Sequence, residues 1–476
     1  MANFLDHIKA IDPDRPAVWD ADRQVSFGEM LTQARAIAQS LKVTFPDPKF
    51  VLFEAHRSVD FVVRLFAVWE AGKVPVPVDP DAPGALRKTL LAKCQPGVFI
   101  NTQDWPEPHS VVRQETLVSA GSEEALVVFT SGTSGQPKGV VVTQKNLCHS
   151  ASVISEYLGY AQFSRAAVIL PLHYSYALIS QLLATLYVGG SCFILSNMRN
   201  PLKLAEEASR ASLQSLCAVP STFQTFIQFR KMAELSFPEI RVVCSAGAKL
   251  DTSLISDIRS LFPNATLFDN YGMTEATPRV TYIKEDDDRF GDGTCGKAIP
   301  GMEIRIVDPK TRQPLPEGET GCVAVRGASV MPGYLDDAEA NAKAFTDDGF
   351  FVSGDLAHLD DGYLYISGRA DEVFNVGGEK VSPLEVEAAL YKYPAIVECA
   401  VAAIEDAARG AIPAAFLVSQ SEFKKAEIVA HLREHLPSNK IPVRCYIVEA
   451  LPKTSNGKMQ RTKLEHQANY VLQRLN

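Results

Sequence analysis

Long apolar runs are missing from this chain. No stretch approaches the ~20 apolar residues that a membrane span requires. A basic excess is missing as well. The 47 Lys and Arg are outnumbered by 56 Asp and Glu, and the formal charge of −9 argues against a general binder of nucleic acid or anionic membrane. Nine cysteines are present, yet they form no C-x-x-C pair and no Cys/His group at zinc spacing. Such an odd, unpatterned set fits a reducing compartment, and Cys217 and Cys244, inside apolar runs, read as buried small hydrophobes. The N-terminal Met-Ala-Asn-Phe-Leu-Asp-His has nearby acidic residues and lacks the apolar core of a secretory signal. No internal repeat or low-complexity tract stands out. Together these absences predict a soluble, cytoplasmic protein with neither a nucleic-acid nor a membrane partner.

What is present is ordinary for a globular protein: 46% hydrophobic and 22% charged residues. A length of 476 residues is too great for one simple core, so two or more domains are expected. From residue 50 onward short apolar runs alternate with amphipathic stretches. Phe50–Phe53, Val74–Val78, Gly97–Ile100, Ala125–Val128, Ala167–Leu170, Ser191–Leu195, Ser215–Val219, Val242–Ser245 and Thr266–Phe268 read as strands. Helical patterns lie over Val59–Ala71, Gly84–Ala92 and Tyr176–Tyr187. This alternation predicts an α/β fold of parallel sheets covered by helices. Beyond about residue 280, short strands punctuated by glycine and proline suggest a β-rich subdomain to about Ile366. A smaller α+β unit then follows, with helices over Pro383–Tyr391 and Lys425–His435 and strands over Ile396–Ala403, Ala414–Leu417 and Arg444–Val448. The expected division is a large N-terminal domain over 1–369 and a small, mobile one over 370–476.

The most informative segment is Phe129-Thr130-Ser131-Gly132-Thr133-Ser134-Gly135-Gln136-Pro137-Lys138-Gly139. Its glycines allow a tight turn and close approach to a ligand. Hydroxyls, turn N–H groups and a lysine suit phosphate oxygens. It is not a Walker A loop, because Pro137 and Gly139 stand where that motif needs glycine and a hydroxyl residue. In parallel sheets ligands sit at the carboxyl ends of strands. This loop, the Ser245–Lys249 turn and the Tyr271 segment each follow a strand and are expected to converge there.

The loop resembles the signature of the adenylate-forming enzymes: acyl-CoA synthetases, luciferases and the adenylation domains that load carrier proteins. Asn270-Tyr271-Gly272-Met273-Thr274-Glu275 resembles that family's Y-G-x-T-E segment. Ser353-Gly354-Asp355 and Gly368-Arg369-Ala370-Asp371 resemble its ribose-binding and hinge segments. Gly377-Gly378-Glu379-Lys380-Val381-Ser382-Pro383 resembles the loop entering its small domain, and Leu451 to Lys458 its terminal catalytic-lysine motif.

The resemblance implies an acid–thiol ligase. A carboxylate would attack the α-phosphate of ATP, and a thiol would then take the acyl group. Thr130, Ser131, Gly132, Thr133, Ser134 and Lys138 would hold the outer phosphates. Glu275 would hold Mg²⁺, with Thr274 touching the α-phosphate. Tyr271 would offer a flat face to adenine and Asn270 a hydrogen bond to its edge, beside Gly272 and Met273. The Gly247-Ala248-Lys249 turn, with Ala246, would leave the base room. Asp355, assisted by Arg369, would take the ribose hydroxyls. Lys458 would enter for adenylation and leave for thiol attack as the small domain turns about Asp371.

Pro171-Leu172-His173-Tyr174-Ser175-Tyr176-Ala177-Leu178 resembles the family's P-L-F-H-x-x-G-L, with two departures. Tyr174 holds the histidine position, with His173 one place earlier, and Ala177 replaces glycine. Which of the two serves stays open. Amino-acid-activating relatives carry an aspartate here to pair with the ammonium, and none occurs from Pro171 to Gly190. An uncharged aryl or aliphatic acid is therefore expected, in a pocket lined by Tyr174, Tyr176 and Phe223. Only 18 residues follow Lys458, so a free-standing enzyme is expected, a monomer or homodimer that delivers its acyl group to CoA or to a separate carrier protein's phosphopantetheine. The alternative is a free-standing amino-acid adenylation enzyme.

Overall fold

The computed structural model describes residues 3–105, 123–131, 136–195, 200–376, 379–406, 410–419, 421, 423–453, 459–464 and 473–475. The chain divides into two compact units, Met1–Ile304 with Val325–Phe351, and Arg305–Ala324 with Val352–Asn476. Among the described residues no helix is long and apolar enough to cross a membrane.

The first unit is built on a nine-stranded sheet. Its middle runs through Thr266–Tyr271, Val242–Ser245, Ser215–Ala218, Arg165–Val168, Ser191–Ile194 and Pro16–Trp19, all parallel. Sheets covered on both faces need strands that are apolar throughout. Ser215–Ala218, Val242–Ser245 and Ser191–Ile194 are accordingly buried at every position. Ser245 lies beside Asp269 in the register, so the turns that follow these two strands emerge together. The strand Arg165–Val168 leads into Tyr176–Leu183, which is π-helical and buried along its whole length, and then into the α-turn Ala184–Tyr187.

The strand before the phosphate loop belongs to neither parallel sheet. Glu124–Ser131 pairs antiparallel with Pro137–Thr143, placing Thr130 opposite Lys138. Five residues separate Ser131 from Pro137, whereas a parallel return needs a crossover of a dozen or more. A hairpin is what that spacing permits. Its apolar face, through Val127 and Val141, joins the core of a three-stranded parallel sheet containing Leu52 and Val76. The expectation of three loops at the ends of parallel strands thus holds for two, and the phosphate loop tips a separate ribbon. The hairpin ends at Thr143, whose side chain caps the helix Gln144–Tyr157 in a reciprocal pair with Asn146. Asn146 also donates to the carbonyls of Ala328 and Val330 at 2.8 and 2.9 Å, fixing the segment that follows.

In the second unit, Phe351–Asp360 and Tyr363–Arg369 form an antiparallel pair that sets Asp355 opposite Arg369. Further on, Ile396–Asp406, Gly410–Ser419, Arg444–Ile447 and Gln473–Leu475 make a four-stranded sheet. The helices Pro383–Leu390 and Lys425–Arg433 bury Val386, Leu390, Ile428 and Leu432 against one face of it, in a cluster with Val401 and Leu417.

Candidate functional site

Between Tyr271 and Thr281 the chain makes the tight return that presents Thr274 and Glu275. Gly272 is required there, since a Cβ would lie 1.8 Å from the Pro278 carbonyl oxygen. A 3₁₀ turn over Thr274–Ala276 follows, ended by Thr277 at φ 54°. The Thr274 hydroxyl is buried and shares a 2.9 Å hydrogen bond with Ser175. Glu275 is held at two points. Its carbonyl accepts from the Met331 N–H at 2.8 Å, and its Oε1 accepts from the Tyr334 hydroxyl at 2.9 Å. The Tyr334 ring also lies beneath Lys138, whose Nζ is 4.8 Å from the ring centroid. The Leu335 N–H donates to the Gly139 carbonyl at 2.7 Å, and Val141 N–H to Gly333 at 3.2 Å. The segment 331–335 therefore clasps the phosphate hairpin to the Glu275 turn. Among the described residues Lys138 forms no ion pair, so its charge is open to an anion. Sequence reasoning passed over Tyr334. Its signal was Met331-Pro332-Gly333-Tyr334, a glycine-punctuated turn inside a stretch read only as β-rich.

Tyr271 is half-buried at the end of its strand, whereas Asn270 points the other way and is buried. The Asn270 amide is engaged inside the protein, donating to the Ser245 carbonyl at 3.2 Å and accepting from the Tyr157 hydroxyl at 3.0 Å. Ala246 is buried, while Gly247 (φ 86°), Ala248 and Lys249 are exposed along the turn. Asp269, which sequence reasoning missed, has its carboxyl pushed up to about 7 by burial, against the pull of the Asn270 N–H, Arg279 and Lys249.

The two candidates for the family's histidine position part company. His173 Nε2 lies 3.6 Å from Asp79 Oδ2, while the Tyr174 hydroxyl stands over the Gly247 turn, 3.1 Å from where a Cβ there would be. Tyr176 is edge-on to Tyr174 with centroids 6.3 Å apart, and its hydroxyl donates to the Cys244 carbonyl at 3.1 Å. Phe223 is fully buried and edge-on to Phe262, which stacks on Phe237. Against Tyr176 lies another residue that sequence reasoning did not single out. The Arg279 guanidinium carbon is 4.5 Å from the Tyr176 centroid, and its Nε donates to the Tyr157 hydroxyl at 3.1 Å.

In the second unit, Arg369 joins the remaining predicted residues. Its Nη1 donates to Asp355 at 2.9 Å and its Nε to Asp371 at 3.0 Å. Burial opposes the Arg369 charge, but the two carboxylates prevail and hold it above its ordinary range. Gly354 makes room, since a Cβ there would lie 2.8 Å from Arg369 Nη2. Just beyond the lysine motif, Arg461 donates to Glu372 at 3.0 Å, to Glu387 at 2.9 Å and to the Val401 carbonyl at 3.2 Å. Gly132, Thr133, Ser134, Gly377, Gly378 and Lys458 lie outside the described residues, as does the Ser131 side chain. Among the described residues no group of three or more His, Cys, Asp or Glu could hold a metal. Glu275 is therefore a single hard-oxygen donor, the kind Mg²⁺ takes together with phosphate oxygens.

A family model described as "AMP-binding enzyme" matches residues 5–335, and "AMP-binding enzyme C-terminal domain" matches 385–458. 4-Coumarate–CoA ligase 2 of Nicotiana tabacum is 33% identical over 347 residues, covering 71% of this chain and 64% of that protein. Tyrocidine synthase 2 of Brevibacillus parabrevis is 27% identical over 95% of this chain, which spans only 13% of that protein. In fold, the chain superposes on o-succinylbenzoate coenzyme A synthetase of Bacillus subtilis, solved with ATP and a magnesium ion. The TM-score is 0.85 at 24% identity, over 98% of this chain and 99% of that one.

Proposed function

Because the chain belongs to the AMP-binding enzyme family, we propose that it activates a carboxylic acid with ATP and passes the acyl group to a thiol. In the first step a carboxylate oxygen bonds to the α-phosphorus and the bond to pyrophosphate breaks. In the second a thiol sulfur bonds to the acyl carbon, AMP leaves, and the thiol proton is released. The observation that carries this reading is the clasp in which Tyr334 joins Glu275 to Lys138, beside the buried Thr274 hydroxyl. Two anions must meet in the first step, so fixed positive charge and oriented donors are what the reaction needs.

Thr130 and Lys138, with the hydroxyls of 131–134, would hold the outer phosphates, and Thr274 the α-phosphate. Glu275 would be the protein ligand of Mg²⁺, which when bound neutralises phosphate charge. Adenine would lie on Tyr271 beside the exposed Gly247–Lys249 turn, and Asp355 with Arg369 would take the ribose. The Tyr174 hydroxyl over Gly247 supports a place for that residue at the acyl side. We keep the division into 1–369 and 370–476, with Asp371 as pivot and Lys458 entering for adenylation only.

CoA is the acceptor favoured by the likeness to 4-coumarate–CoA ligase 2. The likeness to tyrocidine synthase 2 over 95% of the chain supports the second reading, amino-acid activation for a carrier protein. A panel of aryl, aliphatic and amino acids assayed for ATP-dependent pyrophosphate release, with and without CoA, decides between them. Pyrophosphate released only with amino acids would establish the second reading, and release with no acid would sink both.

A further inference from the structure

Arg279 is 1% exposed, and it is the largest fully buried side chain among the described residues. Its Nε is met by Tyr157 and its face by Tyr176. Its Nη2 is buried and meets no acceptor among the described residues. No carboxylate there forms an ion pair with it either. Removing a cation from water costs several kcal/mol per ion unless a counter-charge compensates. Burial opposes the Arg279 charge, and Tyr157, Tyr176, Cys217 and Cys244 favour it, holding it above its ordinary range, but none of them meets Nη2. Asp269 has its carboxyl pushed up to about 7 by burial, so it carries only part of a charge at neutral pH. The Cys217 thiol is pushed up by burial and drawn down by a hydrogen bond from Cys244 and by Arg279 itself, yet it makes no hydrogen bond to Nη2. The guanidinium that carries this unpartnered Nη2 sits against Tyr176, next in sequence to Ser175, which binds Thr274, and two places from Tyr174 over Gly247.

We propose that Arg279 is a specificity-determining residue and that its Nη2 receives a second anionic group of the acid. The substrate is then a dicarboxylic acid, or a carboxylic acid bearing an equivalent remote anion. This rests on the proposed acid-activating function and narrows it, replacing the uncharged acid expected from the sequence with one that bears a remote anion. The reacting carboxylate cannot fill the role through both steps, because it loses its charge on forming the mixed anhydride with AMP. A remote anion keeps the guanidinium paired until the thioester leaves. An α-ammonium near Arg279 would set cation against cation, which agrees with the missing aspartate between Pro171 and Gly190.

The test compares matched acids: glutarate with butyrate, adipate with hexanoate, phthalate with benzoate. Pyrophosphate release is measured for each with the wild-type chain and with Arg279→Met and Arg279→Lys. A site built around a buried polar partner rejects the analogue that lacks its complement, so at least one diacid should exceed its monoacid by about 100-fold or more in kcat/KM. Arg279→Met should bring that ratio below about 5-fold, Arg279→Lys should retain part of it, and AMP affinity by calorimetry should stay within about 3-fold. A ratio below about 10-fold in every wild-type pair overturns the proposal, and that comparison stands even if Arg279→Met fails to fold. A loss of AMP affinity beyond about 10-fold with acid preference unchanged also overturns it, placing the guanidinium on the nucleotide. If no acid of the wider panel releases pyrophosphate, it is the proposed function that fails.

Discussion

The Tyr334 hydroxyl donates to Glu275 Oε1 across 2.9 Å, from a residue 59 positions further along the chain. Hydrogen bonds to an ionised group contribute about 1.5–3 kcal/mol, and this one aims the carboxylate assigned to Mg²⁺. Tyr334→Phe keeps the ring under Lys138 and should leave the melting temperature nearly unchanged. It should lower pyrophosphate release about tenfold or more and raise the half-saturating Mg²⁺ concentration. Mg²⁺ titrations that superpose for the two proteins would show that Glu275 is oriented by other means.

Much of the scaffold was legible because burial writes itself into composition. Val242–Ser245, read as a strand from four consecutive small or apolar residues, is one in the structure. The helix expected over Tyr176–Tyr187 is there too, but its first two turns are π-helical, and a run buried on every side holds no apolar period that separates the two. The antiparallel return of the phosphate hairpin was written in its loop length rather than in its apolar residues. Arg279 was illegible for another reason. In Thr277-Pro278-Arg279-Val280 a lone cation reads as solvated, and its burial arises only when positions 157, 176 and 279 meet.

Lys458→Ala separates the two half-reactions. Losing one charge-stabilising group costs about 10²–10³ in rate, and the loss should fall on acyl-adenylate formation alone. Thiol attack on a preformed acyl-adenylate should run at the wild-type rate. Equal losses in single-turnover assays of each step would remove Lys458 from its assigned place.

Asp371→Pro tests the pivot. At this junction Ala370, Glu372 and Val373 make the described backbone donations, to Gly354 and to Arg369. Proline at 371 therefore removes none of them, while it fixes φ near −65°. Adenylation should be nearly normal and transfer to CoA should fall at least about tenfold. A variant that completes both steps at wild-type rates would move the pivot elsewhere.

Asp269→Asn carries a signed pH prediction. With its carboxyl at about 7 in the folded chain against an ordinary 3.8, the folded state binds the extra proton between those values. Stability attributable to this group is then full below about pH 4 and falls as pH rises to 7. At about 1.4 kcal/mol per unit the upper limit is about 4 kcal/mol. Asparagine carries no charge to bury, so the variant should match wild type near pH 4 and melt higher at pH 8. A difference in melting temperature that is flat across this range would mean that Arg279 and Lys249 compensate Asp269 fully.

The π-helical stretch has a consequence for how such a pocket can change. Its backbone hydrogen bonds reach one residue further along than those of the α-helix that follows, and it is pinned at two points. Tyr176 is tied to Cys244, and Gln181 donates to the Ala167 carbonyl at 2.8 Å. Deleting one residue between 176 and 181 would let the wide turn tighten to α-helical geometry, with both anchors and the phase of the downstream helix kept. Substitutions can retune the aromatic wall in small steps. The loss of a single residue would instead exchange a wide turn for a narrow one at a stroke, drawing that wall inward while its fastenings stay in place.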